Sequence, residues 1–117
     1  MPSVLVVDKK NSLADVIAEI RRQTPKRKIH RAHTYPKAME HMQYQMPSSV
    51  LVDEDVDRSF EFCHDAKERF ESERTGKFQV SYFVRNRQRY DNVVPFIDNW
   101  YVKGSYIPKE FVRNLKP

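Results

Sequence analysis

The sequence predicts an α/β fold in which five strands form one parallel sheet that helices cover on both faces. Three observations predict it. Along the 117 residues, short aliphatic runs alternate with amphipathic stretches. The runs at 4–7 and 49–52 are almost wholly apolar, as in strands that are buried on both faces of a sheet. Each run leads into an aspartate, Asp8 or Asp53, and a parallel arrangement would bring both carboxylates to one edge of the sheet.

The first two strand and helix units come from the amino-terminal part of the chain. Residues 3–7 are predicted to form the first strand. The helix after it is predicted from apolar side chains at helical spacing, namely Leu13, Val16, Ile17 and Ile20. Asn11 or Ser12 could cap that helix. The second strand is predicted at 28–32, where apolar and polar residues alternate briefly.

The middle of the chain supplies two more helices and the third strand. A helix is predicted at 35–45, with Pro36 in the first turn, where proline is tolerated. The third strand is predicted at 49–53. The helix predicted at 60–74 has a charged face opposite an apolar one that comprises Phe62, Cys63, Ala66 and Phe70. Residues 75–76 are expected to end it.

The last two strands are predicted at 78–84 and 100–102. Between them, the 86–98 segment contains apolar side chains, but Pro95 would remove a helical hydrogen bond, so any helix there is expected to be short or distorted. Pro108 is expected to open a final helix, whose inner face comprises Phe111, Val112 and Leu115.

The composition favours a single folded domain over residues 1–117. Apolar residues make up 39% and charged residues 32%, a balance that is typical of globular proteins. No apolar run approaches the roughly 20 residues that cross a bilayer, and no basic leader precedes the first strand, so a cytoplasmic protein without a membrane partner is expected. Cys63 is the single cysteine, so no internal disulfide is expected and its thiol is predicted to be buried.

Three short segments resemble the receiver domain of two-component response regulators, and the resemblance extends over essentially the whole chain. They are residues 6–8 at the end of the first strand, 51–53 at the end of the third, and 101–103 after the fifth, in the family's order. The resemblance implies a flavodoxin-like (βα)5 fold, which is a three-layer sandwich. It also implies one atypical receiver domain with no output domain attached.

The resemblance also implies roles for three charged residues. Asp53 corresponds to the aspartate that accepts a phosphoryl group in that family. Asp8 corresponds to the first member of an acidic pair that holds Mg²⁺, and Lys103 to a lysine that contacts the phosphoryl oxygens.

Other positions depart from the family's pattern. Lys9 stands where the second acid is expected, and Val84, or alternatively Phe83, stands where a Thr or Ser is expected. Gly104 replaces the usual proline. Mg²⁺ requires hard oxygen ligands, and an ammonium beside the site both removes a ligand and repels the ion. We therefore expect weak or no metal binding.

The candidate acidic pocket comprises Asp8, Lys9, Asp53 and Lys103. Lys9 is expected to place its ammonium between Asp8 and Asp53, and Lys103 is expected to form a salt bridge with Asp53. No cofactor is expected. Mg²⁺, held by Asp8, Asp53 and Asp55, belongs only to the alternative in which the protein is phosphorylated.

The departures favour a pseudo-receiver that is not an enzyme. It would act in signal transduction by binding another regulatory protein, independently of phosphorylation. Receivers usually bind partners through the face formed by their fourth helix, fifth strand and fifth helix (the family's α4-β5-α5 face). In this chain the corresponding face, which we call the fifth-strand face, comprises the 86–98 segment, the fifth strand and the final helix. Its predicted contact residues, which could equally belong to the core, are Trp100, Tyr101, Tyr106 and Phe111. Trp100 also corresponds to the family's switch aromatic.

Two alternatives remain from the sequence. The first is a phosphorylatable response regulator that uses Asp53. The second is a regulator that binds nucleic acid, because the net charge is +5 and basic residues cluster within 21–31 and 85–90. The sequence identifies neither the partner nor the oligomeric state.

Overall fold

A parallel five-stranded sheet organises the described part of the chain, residues 3–71, 77–86 and 94–115 of a computed structural model. The strands are β1 (Ser3–Val7), β2 (Lys28–Ala32), β3 (Ser49–Asp53), β4 (Gln79–Val84) and β5 (Asn99–Val102). Their spatial order is β2-β1-β3-β4-β5. The helices among these residues are α1 (Ala14–Gln23), α2 (Tyr35–Gln45), α3 (Ser59–Phe70) and α4 (Pro108–Arg113). The predicted α/β fold is confirmed.

Side chains of the sheet alternate between two apolar cores, which explains why the central strands are apolar throughout. One core lies between the sheet and helices α2 and α3, and includes Val7, Val52 and Val84. The other lies between the sheet and helices α1 and α4, and includes Val6, Leu51 and Phe83. All residues of β1 and β3 are buried. The three-layer sandwich thus follows from strands that must bury both faces.

Several local predictions need correction. Helix α1 has no side-chain cap, since its N-cap residue is Leu13, so neither Asn11 nor Ser12 serves as the predicted cap. Helix α3 ends at Phe70, and residues 72–76 lie outside the described residues. Most of the 86–98 segment, where a distorted helix was predicted, also lies outside them.

Cys63 lies within α3 and is buried, as predicted. Its burial raises the pKa of the thiol far above the ordinary value. Within the described ranges, none of the helices combines the length and the apolar character that a membrane crossing would require.

Candidate functional site

The two aspartates predicted to meet at the sheet edge do so. Parallel pairing places Val7 of β1 level with Val52 of β3, so the next residues, Asp8 and Asp53, lie side by side. Both carboxylates are completely buried. A buried carboxylate is strongly destabilised unless cations and hydrogen-bond donors surround it, so the groups around each aspartate decide what the crevice can do.

Asp8 is surrounded by donors from β2 and from the loop before α1. The Nη2 atom of Arg31 donates to both carboxylate oxygens, at 3.0 and 3.2 Å. The backbone N–H of Leu13 donates to Oδ2 at 3.3 Å. The Nδ1 atom of His33 lies 2.8 Å from the backbone carbonyl oxygen of Asp8 and 3.4 Å from Oδ1. Arg31 is in register with Val6 on the neighbouring strand, which brings its guanidinium to this edge.

Asp53 has three donors from three separate parts of the chain. The hydroxyl of Ser12 donates to Oδ2, and the backbone N–H of Asp55 donates to Oδ1 at 2.8 Å. The ammonium of Lys103 forms an ion pair with Oδ1. The salt bridge between Lys103 and Asp53 that the sequence predicted is therefore present, whereas the contribution of Ser12 was not predicted.

Lys103 also connects the pocket to Asp55, whose Oδ2 lies 2.8 Å from its Nζ. Burial alone would lower the pKa of Lys103, but hydrogen bonds to Asp53 and Asp55 outweigh it, and the pKa is raised. The pKa of Asp55 is lowered, chiefly by its hydrogen bond with Lys103 and also by Arg85. This part of the crevice is therefore a network of paired charges.

Lys9 does not take the place that the sequence analysis gave it. Its side chain is exposed, and within the described part of the chain it makes no ion pair with Asp8 or Asp53. Its backbone carbonyl accepts from the N–H of Ser12 in a tight turn. The prediction is wrong because Arg31 and Lys103 supply the cations instead.

The crevice does not fit Mg²⁺. Such an ion needs several carboxylate or carbonyl oxygens with lone pairs directed at one point. Here the guanidinium of Arg31 takes both oxygens of Asp8, and Lys103 is shared between Asp53 and Asp55. Across residues 3–71, 77–86 and 94–115, no group of three or more His, Cys, Asp and Glu side chains could hold a metal ion.

The end of β4 shows which of the two candidates, Val84 or Phe83, occupies the position where a Thr or Ser was expected. Phe83 is in register with Asp53 and faces the same core as Leu51. Val84 faces the opposite core. Phe83, and not the preferred Val84, therefore lies beside the aspartate where a hydroxyl residue was expected. Its ring packs against three others, with centroids 5.3 to 5.4 Å away, namely those of Tyr101, Tyr106 and Phe111.

The four predicted contact residues of the fifth-strand face do not form one surface. Trp100 packs on the α2 and α3 side of the sheet, where its ring lies 5.5 Å from that of Tyr82. Tyr101, Tyr106 and Phe111 belong to the other side, and Phe111 is buried. Strand alternation separates Trp100 from its neighbour Tyr101, so the prediction of a common aromatic patch is corrected.

Tyr106 links this aromatic cluster to α1. Its hydroxyl lies 3.4 Å from both carboxylate oxygens of Asp15. Burial, and then the nearby carboxylates of Asp15 and Asp53, raise the pKa of Tyr106. The phenol is therefore neutral at physiological pH and donates to Asp15.

Much of the positive charge predicted to contact nucleic acid is directed at this protein's own groups. In the 21–31 stretch, Arg22 pairs with Glu19, and Arg31 with Asp8. Arg85 pairs with Asp55. Residues 87–90 of the other predicted basic segment lie outside the described residues.

Comparisons with solved structures find receiver domains. A receiver domain of a DNA-binding response regulator from Colwellia psychrerythraea 34H has a TM-score of 0.77 at 16% identity, over 97% of this chain and 96% of that one. A response regulator from Thermotoga maritima has a TM-score of 0.71 at 16% identity, over 97% and 92% of the two chains.

A third similar structure is a receiver domain protein from Methanospirillum hungatei JF-1. It has a TM-score of 0.69 at 12% identity, over 97% of this chain and 89% of that one. No family model and no curated protein matches the sequence. At these identities the structures establish the architecture, and the chain therefore has the fold of response-regulator receiver domains.

Proposed function

We propose that this protein is a pseudo-receiver that acts in signal transduction by binding another regulatory protein, without phosphorylation of Asp53. The observation that carries the proposal is the internal neutralisation of both crevice aspartates. Asp8 is paired with Arg31, and Asp53 with Lys103. The protein's own side chains thus provide the positive charge that a metal ion would provide in a phosphorylatable receiver.

Phosphoryl transfer to a carboxylate requires a cation that neutralises charge on the transferred group, and an oxygen that is free to attack. Both oxygens of Asp53 already accept hydrogen bonds, from Ser12 and from the Asp55 backbone. The neighbouring Phe83 has no hydroxyl to donate to a phosphoryl oxygen. Attack by Asp53 would therefore require hydrogen bonds to its carboxylate to break.

The fifth-strand face is the proposed partner-binding surface. Ile107, which immediately precedes α4, is 59% exposed, and Tyr106 beside it is partly exposed. Tyrosine is enriched among the residues that dominate binding energy at protein interfaces, and Ile107 adds exposed apolar surface beside it. The aromatic cluster beneath them would hold these residues in place, and a partner would contact Ile107.

A phosphorylation assay tests the first half of the proposal. The protein is incubated with acetyl phosphate and Mg²⁺, and the intact mass is measured beside that of a phosphorylatable receiver as positive control. We expect no phosphoryl adduct, and no change in the amide NMR signals near Asp53 on addition of beryllofluoride and Mg²⁺. A stable adduct that is absent from the Asp53→Asn variant would overturn the proposal.

A capture experiment tests the second half. Immobilised wild type, Ile107→Glu and Tyr44→Glu are exposed to lysate of the source organism, and retained proteins are identified by mass spectrometry. We expect a partner that wild type and Tyr44→Glu retain and Ile107→Glu loses. Both substituted side chains are more than half exposed, so both variants should fold. Equal retention by all three variants would exclude the fifth-strand face.

A further inference from the structure

An apolar groove lies at the amino-terminal ends of the strands, opposite the crevice of Asp8 and Asp53. Its volume is about 120 Å³, which is close to the size of a cavity that accommodates a benzene ring and so suits a single apolar side chain. It is lined by Met42, Gln43, Met46, Pro47, Phe70 and Phe78. The lining comes from the carboxyl ends of α2 and α3 and from the start of β4, elements that do not contribute to the crevice.

We propose that this groove binds an acidic amphipathic segment of a partner protein, with an apolar side chain inserted in the groove and carboxylates on the basic connection between α1 and β2. The inference is independent of the proposed function, since neither the crevice nor the fifth-strand face takes part. It assigns the protein a second binding surface at the other end of the sheet.

Met46 is the main apolar feature of this surface. It follows α2 in a left-handed conformation, with φ of 45°, and its side chain is 56% exposed. The exposed side chain of Met46 extends the apolar surface of the groove to its rim. Methionine is unbranched and polarisable, so Met46 and the buried Met42 can adapt to an inserted side chain.

The basic connection lies at the same end of the molecule. Register places Ser3 beside Lys28, and Val4 beside Ser49, so β1, β2 and β3 begin at the same level. β2 and β3 are separated only by β1, which puts them about 10 Å apart. The exposed Lys28 is therefore close to the groove, whose lining residue Pro47 precedes β3.

One direct contact joins the basic connection to the groove. The Nη2 atom of Arg27 lies 3.3 Å from the hydroxyl of Ser48, which directly follows the lining residue Pro47. Lys26 and Lys28 on either side are exposed, and no carboxylate among the described residues pairs with them. Two exposed lysines beside an apolar recess match a segment that carries acidic residues next to its apolar ones.

The shape of the site favours a peptide over a membrane surface. A protein that binds a bilayer inserts protruding apolar side chains between lipids. Here the apolar surface is a recess between two helix ends, which receives a side chain, as in grooves that bind amphipathic helices. The net charge of +5 favours encounter with an acidic partner segment.

A designed peptide tests the proposal with the full chain. The probe is a fluorescein-labelled amphipathic helix with leucines on one face and glutamates flanking them, and binding is measured by fluorescence anisotropy. We expect saturable binding that Met46→Glu weakens at least about tenfold. The double variant Lys26→Glu/Lys28→Glu should weaken it about threefold or more at low salt, and added salt should reduce that difference. Phe60→Glu, which places a carboxylate on an exposed apolar position at the start of α3, is the matched control and should bind as wild type does.

Two control peptides separate the apolar and ionic contributions. Replacement of the leucines by alanine, or of the glutamates by lysine, should each weaken binding by at least about tenfold. Methyl NMR signals of Met42 and Met46 should shift on addition of the original peptide only. The proposal is overturned by absence of saturable binding, by equal binding of the lysine peptide, or by an unchanged affinity of Met46→Glu.

Two further probes distinguish other occupants. Vesicles of phosphatidylserine and phosphatidylcholine should not compete with the peptide, and competition that Met46→Glu abolishes would instead identify a lipid surface. Nile red, an uncharged apolar dye, is the second probe, and it tests whether the groove binds a small apolar ligand without carboxylates. Its binding in the groove with no binding of the acidic peptide would overturn the proposal in favour of a small apolar ligand.

Discussion

The buried carboxylate of Asp53 is satisfied by three donors, two of which are distant from it in sequence. Ser12 lies in the loop before α1, the backbone N–H of Asp55 in the loop after β3, and Lys103 after β5. Removal of one partner from a buried pair costs more free energy than formation of the pair contributes, since the remaining charge is left uncompensated. Single substitutions in the crevice should therefore have large effects on stability.

Lys103→Met removes the ammonium and keeps most of the chain length. We expect the free energy of unfolding in urea to fall by about 2 kcal/mol, less than the roughly 3–5 kcal/mol for a fully buried pair, because Lys103 is 21% exposed. The exposed Lys26→Met should change it by less than about 0.5 kcal/mol. Addition of Asp53→Asn should recover part of the loss, because no buried charge then remains unpaired.

The comparison of Lys103→Met with Lys26→Met decides whether Lys103 stabilises the buried carboxylate of Asp53. If the two variants were equally stable, Lys103 would contribute nothing to the burial of Asp53, and the internal neutralisation on which the proposed function depends would be refuted.

Phe83→Thr tests whether a hydroxyl can simply be restored beside Asp53. Phe83 is completely buried among Tyr101, Tyr106 and Phe111, so the substitution leaves a cavity. We expect a loss of about 3–5 kcal/mol, typical of truncation of a buried phenylalanine. Phe60→Thr is the matched control. Phe60 is 45% exposed, and its loss should be about 1 kcal/mol. Similar losses in urea unfolding would show that Phe83 is not a core residue.

Among the elements, the starts of the helices differ in how they are stabilised. Helix α2 begins at a conventional cap, because the hydroxyl of Thr34 accepts from the N–H of Lys37 at 3.4 Å. Helix α1 has no such cap. Instead, the N–H of Leu13 donates to the carboxylate of Asp8, and the hydroxyl of Ser12 is directed at Asp53. The start of α1 therefore depends on the crevice.

Thr34→Ala should destabilise the protein by about 0.5–1 kcal/mol, since it leaves an amide at the helix terminus without its acceptor. Thr34→Ser retains the hydroxyl and should have almost the wild-type free energy of unfolding. The measurement is urea denaturation monitored by circular dichroism. Equal destabilisation in both variants would mean that the threonine methyl group, and not the cap, stabilises α2.

For the molecule as a whole, the paired charges predict how stability depends on pH. The pKa of Asp55 is lowered in the folded state, chiefly by Lys103. A carboxyl group with a lowered pKa contributes stability above its unfolded pKa, near 4, and this contribution is lost as pH falls through the folded pKa. The raised pKa of Lys103 has the opposite sign, so its contribution is lost as pH rises beyond about 10.5.

Asp55→Asn should therefore be less stable than wild type at pH 7, and the difference should shrink as pH falls below about 4 and disappear below the lowered pKa of the folded state. The free energy of unfolding of both proteins is measured by urea denaturation between pH 2.5 and 8. Asp15→Asn, which removes a carboxylate from the first turn of α1, is the control variant. A difference between Asp55→Asn and wild type that persisted unchanged at the lowest pH would show that the ion pairs of Asp55 with Lys103 and Arg85 do not carry it.

The sequence by itself determined the layers of this protein and the residues that end its strands. Runs such as 4–7 and 50–52 are apolar at every position, a pattern typical of strands buried on both faces of a sheet. The two aspartates after them had to meet, because parallel strands end at one edge. The ion pair of Lys103 with Asp53 was expected from the position that the resemblance to receiver domains gives Lys103.

Only the tertiary structure decided which other side chains reach the crevice and which residues share a face. Arg31, and not Lys9, pairs with Asp8, because β2 lies next to β1 in register while the turn at Lys9 leaves its side chain in solvent. Phe83 lies beside Asp53 because of the pairing of β3 with β4. Periodicity gives the face of a residue within its own element, but contacts between elements depend on register, and register is fixed only when the whole sheet packs.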